Sequence, residues 1–238
     1  FNQHCAELAA EISSQFGTNK GFALDIGSND GTLLDKLDRY GFDVAGIEPS
    51  NISCDFETFR GYFPKETEDW ANGGFQVITT LNVLGHVANV HGFAAEVDRL
   101  LTPDGLWVVE VPWIRELLRG AEFDTIYHEH LSYWSLTALR RLGEAHGLIM
   151  TNASFQPIHG GSLRVSFRKN RTPMTPWSEE SLFDPDTYQE FRIRMAKRIA
   201  RFWSAYKGMG GRWAGYGAAA KGTVFAEVAG IGPDHLAY

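Results

Sequence analysis

Seven consecutive residues, Tyr127-His128-Glu129-His130-Leu131-Ser132-Tyr133, gather two imidazoles, a carboxylate and two phenols. Three uses fit that composition. His-x-His with a Glu can hold zinc if the segment is extended, so that both rings share a face. Polar aromatics can also lead into a helix capped at Ser135. The third use is general base catalysis. An imidazole titrates near neutrality and suits removal of a carbon-bound or hydroxyl proton, with Tyr127 and Glu129 as helpers. His86, in Asn82-Val83-Leu84-Gly85-His86, is either a partner in that chemistry or a core or helix-start residue.

A base needs a bound reactant. Leu24-Asp25-Ile26-Gly27-Ser28-Asn29-Asp30-Gly31-Thr32-Leu33 reads as a buried strand, a glycine-punctuated turn and a helix start. Such turns let backbone approach a ligand and present free N–H groups. About 20 residues on, Val44-Ala45-Gly46-Ile47-Glu48-Pro49 ends a second strand in an acid able to accept both hydroxyl protons of a ribose. The spacing Asp25-x-Gly27-x-Asn29-x-Gly31 departs from the Gly-x-Gly-x-x-Gly of NAD sites. It resembles motif I of the class I S-adenosylmethionine (SAM) methyltransferases. The expected cofactor residues are Asp25, Gly27, Ser28, Asn29, Gly31, Glu48, Pro49 and Asn82. A nicotinamide cofactor and a purely structural turn are the alternatives.

These residues must be positioned by strands and helices. Cys5, Leu8, Ala9, Ile12 and Phe16 recur at helical spacing, with Gly17 as a stop. Strands are predicted at 22–26, 44–47, 75–80 and 106–111, and helices at 32–40, 93–101 and 136–146. Leu163-Arg164-Val165-Ser166-Phe167 alternates like a closing strand. Near-continuous apolar strands alternating with helices predict an α/β fold, a doubly wound, mostly parallel Rossmann-like sheet. The predicted organisation is a SAM-binding domain over 1–168, a Pro-bearing linker over 169–186, and a long helix over 187–207. That helix leads into an incomplete second Rossmann-like unit reaching residue 238. Trp213 to Thr223 reads as a second strand, glycine turn and helix start.

Composition narrows the class. Apolar residues make up 44% and charged residues 21%, as in soluble globular proteins. A net charge of −7 argues against a nucleic-acid partner. No apolar run spans a membrane and no signal peptide is visible, which points to the cytoplasm. Two distant cysteines, Cys5 and Cys54, read as free thiols. The start, Phe1-Asn2-Gln3-His4, lacks an initiator Met and reads as a fragment or a processed chain.

Taken together, the motifs resemble the SAM-dependent sugar C-methyltransferases, which act on nucleotide-linked 4-ketosugars in deoxysugar biosynthesis. The matching stretches are motif I, Asn82 to His86, Tyr127 to His130, Ser132-Tyr133, His159-Gly160-Gly161-Ser162-Leu163-Arg164 and Gly215-Tyr216-Gly217-Ala218-Ala219-Ala220-Lys221-Gly222. The resemblance implies that His130 removes the proton beside the ketone. It implies that Tyr127, Glu129 and His86 surround the enolate and sugar ring. It implies SAM as cofactor, S-adenosylhomocysteine as product, and a small-molecule substrate, a nucleotide sugar. His159, Gly160, Gly161 and Lys221 are the expected substrate contacts, Lys221 meeting a diphosphate. No metal is expected in this chain. The family's N-terminal zinc-binding domain is missing and its C-terminal domain is cut short, so the SAM site is expected whole and the substrate site incomplete. O-methylation of a hydroxyl and a non-catalytic SAM-binding module are the competing readings.

Overall fold

Apolar runs without alternation must be buried on both faces, and the central strands are. The computed structural model describes residues 1–210, 213–216 and 219–236. Its seven strands are β1 (Phe22–Ile26), β2 (Asp43–Ile47), β3 (Thr58–Phe59), β4 (Phe75–Leu81), β5 (Leu101–Pro112), β6 (Ile149–Gln156) and β7 (Ser162–Arg168). They form one sheet in the order β3-β2-β1-β4-β5-β7-β6. The pairs from β3 through β5 are parallel. β7 pairs antiparallel with both β5 and β6. The mostly parallel α/β sheet expected from the sequence is therefore present.

Helices α1 (Asn2–Ser14) and α2 (Thr32–Arg39) cover one face, burying Cys5, Leu8, Ile12, Leu33 and Leu37 against Val77, Leu106 and Val108. The other face buries Leu24, Ile78, Trp107, Val109 and Phe167 under α3 (Val90–Leu100) and α5 (Leu136–Glu144). Helix α4 (Ile114–Gly120) follows β5.

Three details differ from expectation. β7 does not close the sheet: it lies between β5 and β6, and its first six residues are buried, although its sequence alternates. Arg164 is the reason for that false alternation, because it is held inside by carboxylates. The edge strand is β6, whose polar Thr151, Asn152 and Ser154 hide the strand pattern. Around Trp213 only a single bridge to Leu236 forms among the described residues. Gly217 and Ala218 lie outside them.

The Pro-bearing stretch 169–186 carries a buried acid. Both oxygens of Glu179 are engaged: Oε1 accepts from Trp113 Nε1 (2.8 Å) and Leu136 N (2.9 Å), and Oε2 from Thr137 N (2.8 Å). Helix α6 (Pro185–Met209) is capped by Asp184, whose side chain accepts from Asp186 N. Arg194 and Arg198 of α6 donate to the carbonyls of Arg119, Gly120 and Ala121 at the end of α4, where the helix dipole is negative. Helix α7 (Ala220–Ala229) stacks Phe225 on Phe123, 5.8 Å between ring centres. That contact sets Lys221 beside the segment that follows Phe123.

Candidate active site

The strand order reverses between β1 and β4, and open α/β sheets bind ligands at the carboxyl ends of such strands. A cavity of about 600 Å³ opens there. Its walls include Asp25, Gly27, Ser28, Asn29, Glu48, Pro49 and Asn82, so seven of the eight expected cofactor residues converge. Gly31 is the exception. It caps α2 in a left-handed conformation (φ +78°), where a Cβ would run into Cys54 Sγ. Gly27 also has positive φ (+77°), and a Cβ would strike Val83.

The cavity's polar groups are set for a ligand. Glu48 Oε2 accepts from Asn29 N (3.0 Å) and Oε1 from Ser50 N (2.8 Å), so each oxygen keeps a free lone pair. Burial pushes the Glu48 carboxyl up, but those hydrogen bonds and the Arg60 charge outweigh it and leave it below the usual range. Ser28 Oγ and Asn82 Oδ1 are buried without a protein partner. Asn29 (φ 52°) and Asn82 (φ 59°) both sit in left-handed backbone. Burial pushes Asp25 up to about 7, against the hydrogen bond from Thr79 Oγ1. The aromatic wall of Phe1, Tyr62, Phe63 and Phe93 was not legible, because Phe1, Tyr62 and Phe63 lie outside any periodic pattern and Phe93 reads only as the apolar face of α3.

A second cavity of about 190 Å³ adjoins the first. Tyr127, His130, Ser132, Tyr133, Trp134, Thr125 and Lys221 line it, and Asn82, His86 and His159 line both cavities. Residues far apart in sequence, from His86 through Tyr127 and His130 to Lys221, thus meet in one space. His130 Nδ1 lies 2.8 Å from the Thr125 carbonyl, which can only accept. Nδ1 therefore carries the hydrogen, and Nε2 keeps its lone pair toward the Tyr127 hydroxyl at 3.1 Å. Burial pulls the His130 imidazole below its ordinary range. The Thr125 carbonyl opposes this, and His86 and Lys221 reinforce it. The neutral, basic ring is the favoured form. Burial and Glu129 raise Tyr127 above the ordinary phenol range, so it keeps its proton. His86 Nδ1 donates to the Glu129 carbonyl (2.9 Å), and its ring meets that of His130 edge to face at 5.0 Å.

Three expected residues stand apart. The Glu129 side chain is exposed and lines neither cavity. Gly160 and Gly161 are likewise absent from both walls, and they pack against the side chains of Glu122 and Glu116. Among the described residues, no three His, Cys, Asp or Glu side chains converge as metal ligands. Ser135 caps α5 through Ala138 N (3.0 Å) as read from the sequence.

Comparison with known proteins settles the class. A family profile described as a methyltransferase domain matches residues 3–152. The chain belongs to this methyltransferase family. The SAM-dependent class read from motif I is thus the right one, with SAM as its cofactor. A second profile, the C-methyltransferase C-terminal domain, matches residues 157–238. The C-methyltransferase NovU of Streptomyces niveus is 29% identical over 259 residues. The alignment takes in 99% of this chain and 62% of NovU, so the chain spans less than two thirds of that relative. A ubiquinone biosynthesis O-methyltransferase of Mesorhizobium japonicum is 24% identical over 180 residues, 68% of this chain and 70% of that protein. Among solved structures, magnesium protoporphyrin IX methyltransferase of Synechocystis, which holds SAM, superposes with a TM-score of 0.53 at 12% identity. That match covers 71% of this chain and 79% of the other. A Burkholderia thailandensis N-methyltransferase with bound S-adenosylhomocysteine gives 0.55 at 15% identity, covering 70% and 79%. At such identities the likeness is one of fold. No helix among the described residues is long and apolar enough to cross a membrane.

Proposed function

We propose that the chain methylates carbon, at the position beside the ketone of a nucleotide-linked 4-ketosugar. The observation that carries this reading is the junction of the two cavities. Asn82, His86 and His159 line both, and His130 lines the smaller one with its unprotonated Nε2 turned to the Tyr127 hydroxyl. When bound, SAM supplies an electrophilic methyl group on a sulfonium. Glu48 would accept from the ribose hydroxyls, and Ser28 and the side-chain NH2 of Asn82 would meet the amino-acid end. Tyr62, Phe63 and Phe93 give the adenine an apolar wall.

The chain's own residues then do the proton work. A proton beside a ketone becomes acidic only if the developing enolate oxygen is stabilised. His130 Nε2 takes that proton. The Tyr127 hydroxyl, which donates to Nε2 in the free chain, turns to the enolate oxygen, and His86 stands beside it with its Nδ1–H held by the Glu129 carbonyl. Lys221 brings a positive charge to the same wall and suits a diphosphate as a point charge. His159 completes the junction. Gly160, Gly161 and Glu129 contribute by shaping loops, on this reading, because none faces a cavity.

The NovU likeness supports carbon as the acceptor over oxygen, and the matched C-methyltransferase C-terminal profile supports it independently. The cofactor half is tested by calorimetric titration with S-adenosylhomocysteine. One-site micromolar binding is expected, weakened at least tenfold in Glu48→Ala. Unchanged affinity in that variant would move the ribose contact elsewhere.

A further inference from the structure

We infer that Trp134 is a substrate-binding residue, its indole N–H reserved for an oxygen of the substrate in the second cavity. This rests on the proposed ketosugar reading of that site and adds a group which neither the motifs nor the comparisons assign.

Trp134 lines the smaller cavity beside His130, Tyr127 and Tyr133, and it is 7% exposed. Its backbone is fixed: the carbonyl accepts from Ile114 N at 3.0 Å, and a bridge joins Trp113 to Trp134. Its Nε1–H is buried and has no acceptor. Buried donors almost always find partners, and leaving one unmade costs free energy. The neighbouring indoles follow that rule. Trp113 Nε1 donates to Glu179, and Trp107 Nε1 to Thr80 Oγ1. Trp134 breaks it at a cavity wall.

A second orphan lies on the same wall. Asn82 Oδ1 is buried without a donor, and Asn82 borders both cavities. One unmatched donor and one unmatched acceptor thus belong to residues of a wall on which three other polar side chains are already committed. Tyr127 is bonded to His130, His130 to Thr125, and Tyr133 to the Thr125 carbonyl. The complementary ligand presents an acceptor oxygen to Trp134 and a hydroxyl to Asn82. An oxygen-rich ring with a carbonyl or hydroxyl beside another hydroxyl has that pattern. A site that is built to bond an oxygen discriminates strongly against analogues lacking it, because its own donor is then stranded.

The test replaces the N–H without changing shape. Trp134 is exchanged for benzothienylalanine by amber suppression, sulfur standing where Nε1–H was, with Trp134→Phe as an accessible second variant. Melting temperature, S-adenosylhomocysteine affinity and affinity for a nucleoside-diphosphate 4-ketosugar are then measured. The expected result is an isostere at least as stable as the parent, with unchanged S-adenosylhomocysteine affinity and ketosugar affinity down about tenfold or more. Trp134→Phe is expected to show the same split between the two ligands. A lowered melting temperature in the isostere would mean that the N–H has an internal partner, and would overturn the inference. Unchanged ketosugar affinity would overturn it as well, while leaving the proposed reaction standing. A parent chain that binds S-adenosylhomocysteine but no ketosugar nucleotide would remove the substrate reading and this inference with it.

Discussion

Replacing His130 by Asn is expected to lower the methyl-transfer rate by roughly 10²–10⁴-fold while leaving S-adenosylhomocysteine affinity unchanged, since that is the range a positioned general base supplies. Asn can still donate to the Thr125 carbonyl, which His130 Nδ1 contacts at 2.8 Å, so the loop keeps its anchor. What is lost is the basic Nε2. The pH profile of kcat/KM reports the same group. Burial, His86 and Lys221 hold the His130 imidazole below the ordinary range against the Thr125 carbonyl. The active form is the neutral ring, so activity should persist at neutral pH and fall only as pH drops below about 6.5, the usual imidazole value. Lys221→Gln removes a repelling cation, lets the proton bind more readily, and should move that acid limb upward. An H130N protein with parental turnover, or an acid limb unmoved by its loss, would refute the base assignment.

The largest stability effect is expected at Arg164→Met. Glu110 on β5 is fully buried, and Arg164, its register partner on β7, donates Nε to Oε2 at 2.9 Å. His4 of α1 approaches both Glu110 oxygens at 2.9 and 3.0 Å, and Glu11 meets Arg164 at 3.1 Å. Removing the guanidinium leaves Glu110 short of its main cation in a dry interior. Breaking a buried pair on one side costs about 3–5 kcal/mol. Urea denaturation should register that loss. The double change Glu110→Met with Arg164→Met should recover much of it, because an apolar pair strands no charge. The Glu110 carbonyl also accepts from Asn82 N at 2.7 Å, so the single variant should weaken cofactor binding too. A loss below about 1 kcal/mol would show that water reaches this cluster.

Much of this could be read along the chain, and the omissions have a common cause. Strands β1, β4 and β5 announced themselves because a parallel strand buried on both faces reads as a near-continuous apolar run. The cofactor turn was legible because positive-φ backbone at Gly27 selects glycine. Tyr127 and His130 are three residues apart, so their pairing needed no fold to suggest it. The buried ion cluster was illegible because its contacting members lie 54 to 160 residues apart in sequence. Trp134 carries no local signal in the sequence, and its unpaired N–H beside a cavity distinguishes it only in the fold. Glu129 was expected in the site on the strength of its neighbours, but alternate residues of a short turn point different ways, and its carbonyl rather than its carboxylate meets His86. Glu179 sits in a stretch read from its prolines, and nothing local signals the three donors that gather on it.

The claim at the centre of this account is that His130 removes a proton from carbon. It is tested most directly by incubating the chain with a nucleoside-diphosphate 4-ketosugar in D2O, with S-adenosylhomocysteine present and no methyl donor, and following the ring protons by NMR. The account predicts that deuterium replaces the proton beside the ketone in the parent chain and not in H130N. It further predicts that SAM then places the methyl group on that same carbon. A methyl group found on oxygen, with no deuterium at carbon, would contradict it.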